Sequence, residues 1–215
     1  MATASNGGII VPAAIQLTGS GLILREWDDD DVPAMAELFD EPHIDRWAPL
    51  RAPFDQAAAR AYLDLARRRR AAGRRLQLAI TTDGHRPLGE ILLFPTGAPG
   101  EVELAYAIGA AHRRQRLAGR AVQLITAYAY AYDTLAATRV IVRIPAGNTA
   151  SAAVARTAGF QLTTAPLISR EGARDPLHTW LHRPLSTPPL PDHEATGRGY
   201  RPTSRREAQT NERSE

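Results

Sequence analysis

Residues 101–122 read EVELAYAIGAAHRRQRLAGRAV. The first eight residues alternate in character, which predicts a strand over 101–108. An arginine-rich loop follows, and an apolar run over 117–135 predicts a long helix. A helix that starts after a strand and a tight loop leaves its first N–H groups unpaired, and its dipole favours an anion there. The stretch therefore favours a site for a phosphate-bearing ligand, with a solvated basic face and a nucleic-acid contact as the alternatives.

The remaining elements alternate between strand and helix patterns along the chain. Further strands are predicted at 21–26, 76–82, 87–94, 139–144, 162–168 and 177–182, and further helices at 32–39, 54–72 and 149–158. Turn residues join the three strands between residues 76 and 108, which predicts an antiparallel meander. The order of elements predicts a mixed α+β fold, in which a mostly antiparallel sheet of about seven strands is flanked by four helices.

Both ends of the chain differ in composition from the middle. Residues 1–19 are rich in Gly, Ala, Ser and Thr, and residues 185–215 are rich in proline and charge with few large apolar side chains. Neither end can bury enough apolar surface to offset the entropy lost on ordering. We predict one domain over 20–184 with a disordered tail on each side, 1–19 and 185–215.

The composition excludes several classes of chemistry. The 215 residues include no cysteine, which excludes disulfides, thiol catalysis and cysteine-bound zinc. All 26 residues counted as Lys or Arg are arginine, which excludes lysine Schiff bases and a P-loop lysine. The six histidines are scattered, so no metal site is predicted. The start has no basic region and no apolar span of about 20 residues, which predicts a cytoplasmic protein without a membrane span.

Four segments resemble the GNAT acetyltransferase superfamily, and most closely its RimJ/RimL-type ribosomal-protein N-terminal acetyltransferases. These segments are GLILREWDDDD at 21–31, VELAYAI at 102–108, RRQRLA at 113–118 and NTASAAVARTAGF at 148–160. The last matches an N-x-x-S motif that ends in G-F, and the resemblance covers roughly 21–184. It implies acetyl-CoA as co-substrate, no metal, and direct attack in a ternary complex by a primary amine of a protein N-terminus or a small molecule.

The resemblance also implies roles for individual residues. The loop and the start of the long helix would hold the pyrophosphate of acetyl-CoA. The residues assigned to acetyl-CoA are Ile108, Arg113, Arg114, Gln115, Arg116, Leu117, Ala118, Gly119 and Asn148. Glu103 is assigned as the general base, and Ser151 as a hydrogen-bond donor to the departing thiolate. The preferred alignment places Arg116 where the family has a glycine, and an alternative alignment uses Gly119 instead.

The same residues allow other interpretations. Glu103 also fits the plain polar face of its strand, and Ser151 also fits a backbone contact in its short helix. Glu171 is a weaker acid or base candidate, and 43–49 with 165–176 is expected to choose the acceptor. The alternative functions are a catalytically degenerate CoA-binding or regulatory protein and, from the arginine runs, a nucleic-acid-binding protein. A homodimer is one option for its assembly.

Overall fold

The computed structural model describes residues 8–9, 12, 14–41, 50, 52–131, 135, 137–169, 175–183 and 192–193. Its strands are β1 Gln16–Gly19, β2 Leu22–Glu26, β3 Leu76–Thr81, β4 Gly89–Pro95, β5 Glu101–Ile108, β6 Arg139–Pro145, β7 Phe160–Leu162, β8 Leu177–His182 and β9 Asp192–His193. Its helices are α1 Val32–Phe39, α2 Gln56–Ala71, α3 Leu117–Ala131 and α4 Thr149–Thr157. No helix in these ranges is long and apolar enough to cross a membrane.

The strands form one mixed sheet in the order β7-β8-β6-β5-β4-β3-β2-β1-β9. Each neighbouring pair is antiparallel except β5 and β6, which run parallel. A parallel pair needs a long crossover connection, and α3 lies in it. The predicted α+β class, the four helices and the antiparallel meander β3–β4–β5 are therefore confirmed.

The sheet has nine strands within the described ranges, more than the seven or so predicted. The strand β1 lies inside the predicted tail 1–19, which corrects that boundary. It pairs with β2 through a two-residue turn at Ser20 and Gly21, whose φ angles of 52° and 67° suit a tight hairpin. Leu17 is fully buried there, so this short segment does bury apolar surface. The short β9 pairs with β1 from within the predicted C-terminal tail.

The predicted strand over 162–168 is also corrected. The strand is β7, and the residues after it are irregular apart from a single bridge at Ile168. Leu162 and Leu167, the two leucines of this segment, are both 53% exposed. A proline within this segment has no N–H to donate to a neighbouring strand. The segment therefore lacks the burial that a strand needs, and its backbone hydrogen bonds to β8 are confined to Thr163 and Ile168.

The two faces of the sheet carry separate cores. Helices α3 and α4 pack on one face, which we call the α3 face, against a cluster that includes Leu104, Tyr106 and Ile108 from β5. Helices α1 and α2 pack on the other, the α1 face, against a smaller cluster that includes Ala79 and Ala107. Alternate residues of β5 therefore point to opposite faces, as the sequence pattern predicts.

The strands β5 and β6 pair over only part of their length. Their register joins residues 101–104 to residues 139–142. Beyond this point β5 continues along β4 to Ile108, and β6 continues along β8 to Pro145. The strands diverge there, which opens the sheet beside the first turns of α3 and α4.

Candidate active site

A cavity of about 500 Å³ lies where β5 and β6 diverge, and we call it the cleft. Its walls are the ends of both strands, the loop after β5 and the first turns of α3 and α4. The predicted site residues that line it are Ile108, Arg113, Arg114, Arg116, Leu117, Ala118, Gly119, Asn148 and Ser151. Glu103 and Gln115 are not among the lining residues. The fold thus brings the arginine-rich loop and the N-x-x-S motif to one place.

Two arginines of the loop have left-handed backbone conformations. The φ angle is 62° at Arg114 and 58° at Arg116. A side chain in this conformation brings Cβ close to a carbonyl oxygen, which costs about 1–2 kcal/mol. Arg116 therefore occupies a position suited to glycine, which favours the alignment that matches it to the motif glycine. Both arginine side chains are exposed and line the cleft.

Gly119 lies in the first turn of α3, where its backbone is helical. A Cβ added to Gly119 would meet no protein atom within 4 Å, so the space beside it is open. The first N–H groups of a helix have no partner within the helix, and the dipole makes this end positive. Open space, backbone donors and the nearby arginines together fit a pyrophosphate group.

The other two arginines of the stretch brace the loop. Arg113 donates from Nε to the carbonyl of Ile108 at 3.3 Å and pairs through Nη2 with Glu41, just after α1. Arg120 donates to the carbonyl of Ser20 at 2.9 Å, in the turn between β1 and β2, and to the carbonyl of Gln115 at 3.3 Å. These contacts fix the shape of the loop, and they leave Arg114 and Arg116 as its exposed cations.

The start of α4 forms the opposite wall. The side-chain oxygen of Asn148 accepts the N–H of Ser151 at 3.0 Å and so caps the helix. The hydroxyl of Tyr106 on β5 donates to the carbonyl of Ser151 at 3.2 Å. Burial raises the pKa of Tyr106 to about 12, so this phenol keeps its proton at neutral pH. Sequence reasoning missed this contact because 45 residues separate its two partners.

Glu103 lies on the α1 face and is 2% exposed. Its Oε2 accepts from Nη1 of Arg143 on β6 at 2.5 Å. Arg143 lines the cleft, so the pair places the arginine at the cavity and its carboxylate partner behind it. The sequence does carry a signal for Arg143, because an arginine within the apolar strand RVIVRI needs a buried partner.

A second carboxyl is buried on the α1 face. Glu90 on β4 accepts from the hydroxyl of Tyr62 at 2.9 Å and from Nε2 of Gln77 at 2.8 Å. Burial raises the pKa of Glu90 from 4.5 to about 7. Glu90 lies directly opposite Ala107, a residue that lines the cleft. Sequence reasoning missed Glu90 because its partners come from α2 and β3.

Glu171 and the acceptor segment 43–49 lie outside the described residues, as does 170–174 within the second acceptor segment. Within the described ranges, no group of three or more histidine or acidic side chains could hold a metal ion.

A family model described as an acetyltransferase (GNAT) domain matches residues 21–161. No curated protein sequence matches the chain. Many solved structures do match it.

RimJ of Mycobacterium smegmatis, in complex with CoA-disulfide, is 18% identical with a TM-score of 0.66, over 79% of this chain and 87% of that one. The ribosomal-protein-S5-alanine acetyltransferase of Vibrio fischeri is 16% identical with a TM-score of 0.65, over 81% and 99%. The microcin C7 self-immunity acetyltransferase MccE, in complex with acetyl-CoA and AMP, is 13% identical with a TM-score of 0.66, over 76% and 92%. At such identities the likeness shows the fold alone.

Proposed function

The chain belongs to the acetyltransferase (GNAT) domain family and is an acetyl-CoA-dependent acyltransferase, and from that premise we propose that it acetylates a primary amine in the cleft between β5 and β6. The acceptor is a protein N-terminus or a small-molecule amine that enters a ternary complex. The observation that carries this proposal is the cleft itself, whose walls bring the start of α3 and the start of α4 to one cavity.

The residues of the cleft fit acetyl-CoA in two parts. The backbone of 117–119, with Arg114 and Arg116 beside it, is proposed to hold the pyrophosphate, because a phosphate fits the open space at Gly119. Asn148, at the start of α4, is proposed to contact the pantetheine arm. The remaining assigned residues support the loop. Ile108 ends β5, and its carbonyl accepts a hydrogen bond from Arg113. The carbonyl of Gln115 accepts one from Arg120.

Acetyl-CoA supplies an acetyl thioester, and the overall transfer forms an amide C–N bond, breaks the C–S bond, and moves two protons from the ammonium, one to the thiol and one to solvent. Ser151 is proposed to donate a hydrogen bond to the departing sulfur from its hydroxyl. Tyr106 holds the backbone of Ser151 through the carbonyl. Holding the reactants together supplies much of the rate, so a weak acid at Ser151 suffices.

Glu103 as the general base stays a prediction. A base must come within hydrogen-bond reach of the amine, directly or through one water. Glu103 is 2% exposed and is paired with Arg143, which lies between it and the cleft. These two observations favour Glu103 as the residue that holds Arg143 in position. Water in the open cleft would then take the proton from the ammonium.

The test is release of the CoA thiol from acetyl-CoA with a panel of N-terminal peptides, amino-acid amides, polyamines and aminoglycoside-like amines. We expect release with at least one class of amine. Ser151→Ala should lower turnover by about 10-fold or more while acetyl-CoA still binds. Thr149→Ala is the matched control, because Thr149 is an exposed hydroxyl on the same helix turn that does not line the cleft. Equal turnover in the two variants would remove Ser151 from the mechanism.

A degenerate protein that binds CoA without catalysis is the second candidate. Arg116 at the motif glycine and the shielded position of Glu103 favour it. Binding of acetyl-CoA without thiol release across the whole panel would support this candidate against the first. Nucleic-acid binding gains no support, since Arg113 and Arg120 make contacts within the protein. A homodimer stays a prediction.

A further inference from the structure

Two polar groups on the α1 face, beside the cleft, lack hydrogen-bond partners within the described part of the chain. Nε of Arg143 is buried and unpaired although Nη1 is bound to Glu103. The hydroxyl of Thr179 on β8 is also buried and unpaired, and Thr179 is 8% exposed. Arg143 and Thr179 are directly opposite in the β6–β8 ladder, so their side chains are neighbours on one face.

Unpaired buried donors are rare because each costs about 1–3 kcal/mol. Here the cost falls on two neighbouring groups, one of which lines the cleft. Nε itself is covered from solvent, so a ligand in the cleft meets this atom when the Arg143 side chain turns toward the cavity, and there it can supply the missing acceptor atom. Within the described residues, neither Nε of Arg143 nor the hydroxyl of Thr179 contributes a hydrogen bond to the folded protein.

The position of Arg143 indicates which ligand it meets. The loop and the helix starts that fit the pyrophosphate lie with α3 on one face of the sheet, whereas Arg143 lies on the α1 face, because residues alternate along a strand. The cleft passes between the strands and so joins the two faces. The acceptor amine must therefore approach the thioester from the face that carries Arg143.

The ion pair with Glu103 sets the chemistry of this site. The carboxylate of Glu103 offsets the charge of the guanidinium of Arg143. A second buried carboxylate would bring an uncompensated charge into a desolvated place, whereas a carbonyl oxygen would not. The site therefore fits a neutral carbonyl oxygen close to the amine.

We propose that Arg143 selects the acceptor by donating a hydrogen bond from Nε to a carbonyl oxygen next to the attacking amine, with Glu103 as the residue that positions it. This inference rests on the proposed function and names the acceptor chemistry of the same cleft. It favours amines that carry an adjacent amide carbonyl over amines on plain alkyl chains and over free amino acids.

The test compares two variants, Glu103→Gln and the double variant Glu103→Gln with Arg143→Met. Removing Arg143 alone would take away the cation bound to the buried carboxylate of Glu103, so both variants carry the neutral glutamine. The acceptors are L-alaninamide, its apolar isostere 3-methylbutan-2-amine, and L-alanine. The readout is the ratio of kcat/KM values between acceptors, because a general loss of structure lowers all values together and leaves the ratio unchanged.

We expect Glu103→Gln to keep a preference for L-alaninamide over the isostere. In the double variant the ratio of the two kcat/KM values should fall by about 10-fold or more, which is the effect of one hydrogen bond from a charged donor. Arg156→Met, an exposed arginine on α4 away from the cleft, should keep the wild-type ratio. An unchanged ratio in the double variant would overturn the role of Arg143. A preference of wild-type protein for L-alanine over L-alaninamide would overturn the choice of a neutral carbonyl.

Acceptor binding in the presence of CoA, measured by calorimetry, separates this inference from the proposed function. A protein that binds CoA but releases no thiol with any amine would contradict the proposed function. The affinity ratio of L-alaninamide to the isostere would still decide the role of Arg143. If that ratio is the same in both variants, or if neither acceptor binds, the inference fails.

Discussion

On the α3 side of the cleft the groups proposed to meet the ligand are backbone N–H groups and exposed arginines, whereas on the α1 side the polar groups are buried side chains bound to one another. Asn148 caps a residue three positions away. The partners Glu103 and Arg143 are 40 positions apart, and Tyr62 and Glu90 are 28 apart. Side-chain exchange should therefore be cheap on the α3 side and costly on the α1 side.

The largest effect is expected from Arg143→Met alone. It removes the cation bound to the buried carboxylate of Glu103, which should lower the free energy of unfolding by about 3–5 kcal/mol. Arg114→Met on the α3 side should change it by about 0.5 kcal/mol or less, since Arg114 is exposed. Urea unfolding of both variants measures the difference. Similar stabilities for the two variants would remove the contrast between the sides.

The buried carboxyl of Glu90 makes the stability of the α1 side depend on pH. The folded pKa of about 7 lies above the ordinary 4.5, so the folded state holds the proton more tightly. The stabilisation from this proton is complete below about pH 4.5 and is lost as the pH rises through about 7. Glu90→Gln should remove this loss, which amounts to about 2 kcal/mol between pH 5 and pH 8.

Urea unfolding of wild type and Glu90→Gln at both pH values tests this expectation. Glu37→Gln is the control, because Glu37 is an exposed carboxylate on α1, and it should keep the wild-type pH dependence. If Glu90→Gln and Glu37→Gln lose the same stability between the two pH values, Glu90 is not the group responsible.

A smaller effect of opposite sign is expected on the α3 side. Arg116→Gly should raise the free energy of unfolding by about 1 kcal/mol, because glycine adopts a positive φ without the Cβ contact. Gln115→Gly should lower it slightly, since Gln115 is not among the residues with positive φ and glycine adds entropy to the unfolded chain. Thermal unfolding of the two variants compares them. A shift in the same direction would contradict the interpretation of Arg116.

The same contrast explains what could be predicted from the sequence. The meander, the helices and the cleft-lining loop follow from alternation and from local motifs, and they are found where the patterns place them. The prediction of a strand over 162–168 was wrong because the leucines of this segment are exposed to solvent, which periodicity alone does not reveal. Strand β1 was missed because it has only four residues, and its pairing depends on the turn after it and on the neighbouring strand β2.

On the α1 side the missing information was the identity of partners. The sequence identifies Glu103 as a polar residue on a strand, but the arginine that binds it comes from β6, and no local pattern pairs them. Burial raises the pKa of Glu90, and its hydrogen-bond partners Tyr62 and Gln77 come from α2 and β3, elements that only the assembled fold brings beside β4. Such pairs depend on tertiary packing, and so they appear only once the sheet is assembled.

The most direct test is calorimetric titration of acetyl-CoA into the wild-type protein and into Gly119→Leu. A leucine at this position meets no protein atom near its Cβ, so the variant should fold with a melting temperature equal to or above that of wild type. We predict one acetyl-CoA bound per wild-type chain and at least about 10-fold weaker binding to the variant, because the side chain fills the space proposed for the pyrophosphate. No binding to wild type, or equal binding to a folded Gly119→Leu, would contradict the account.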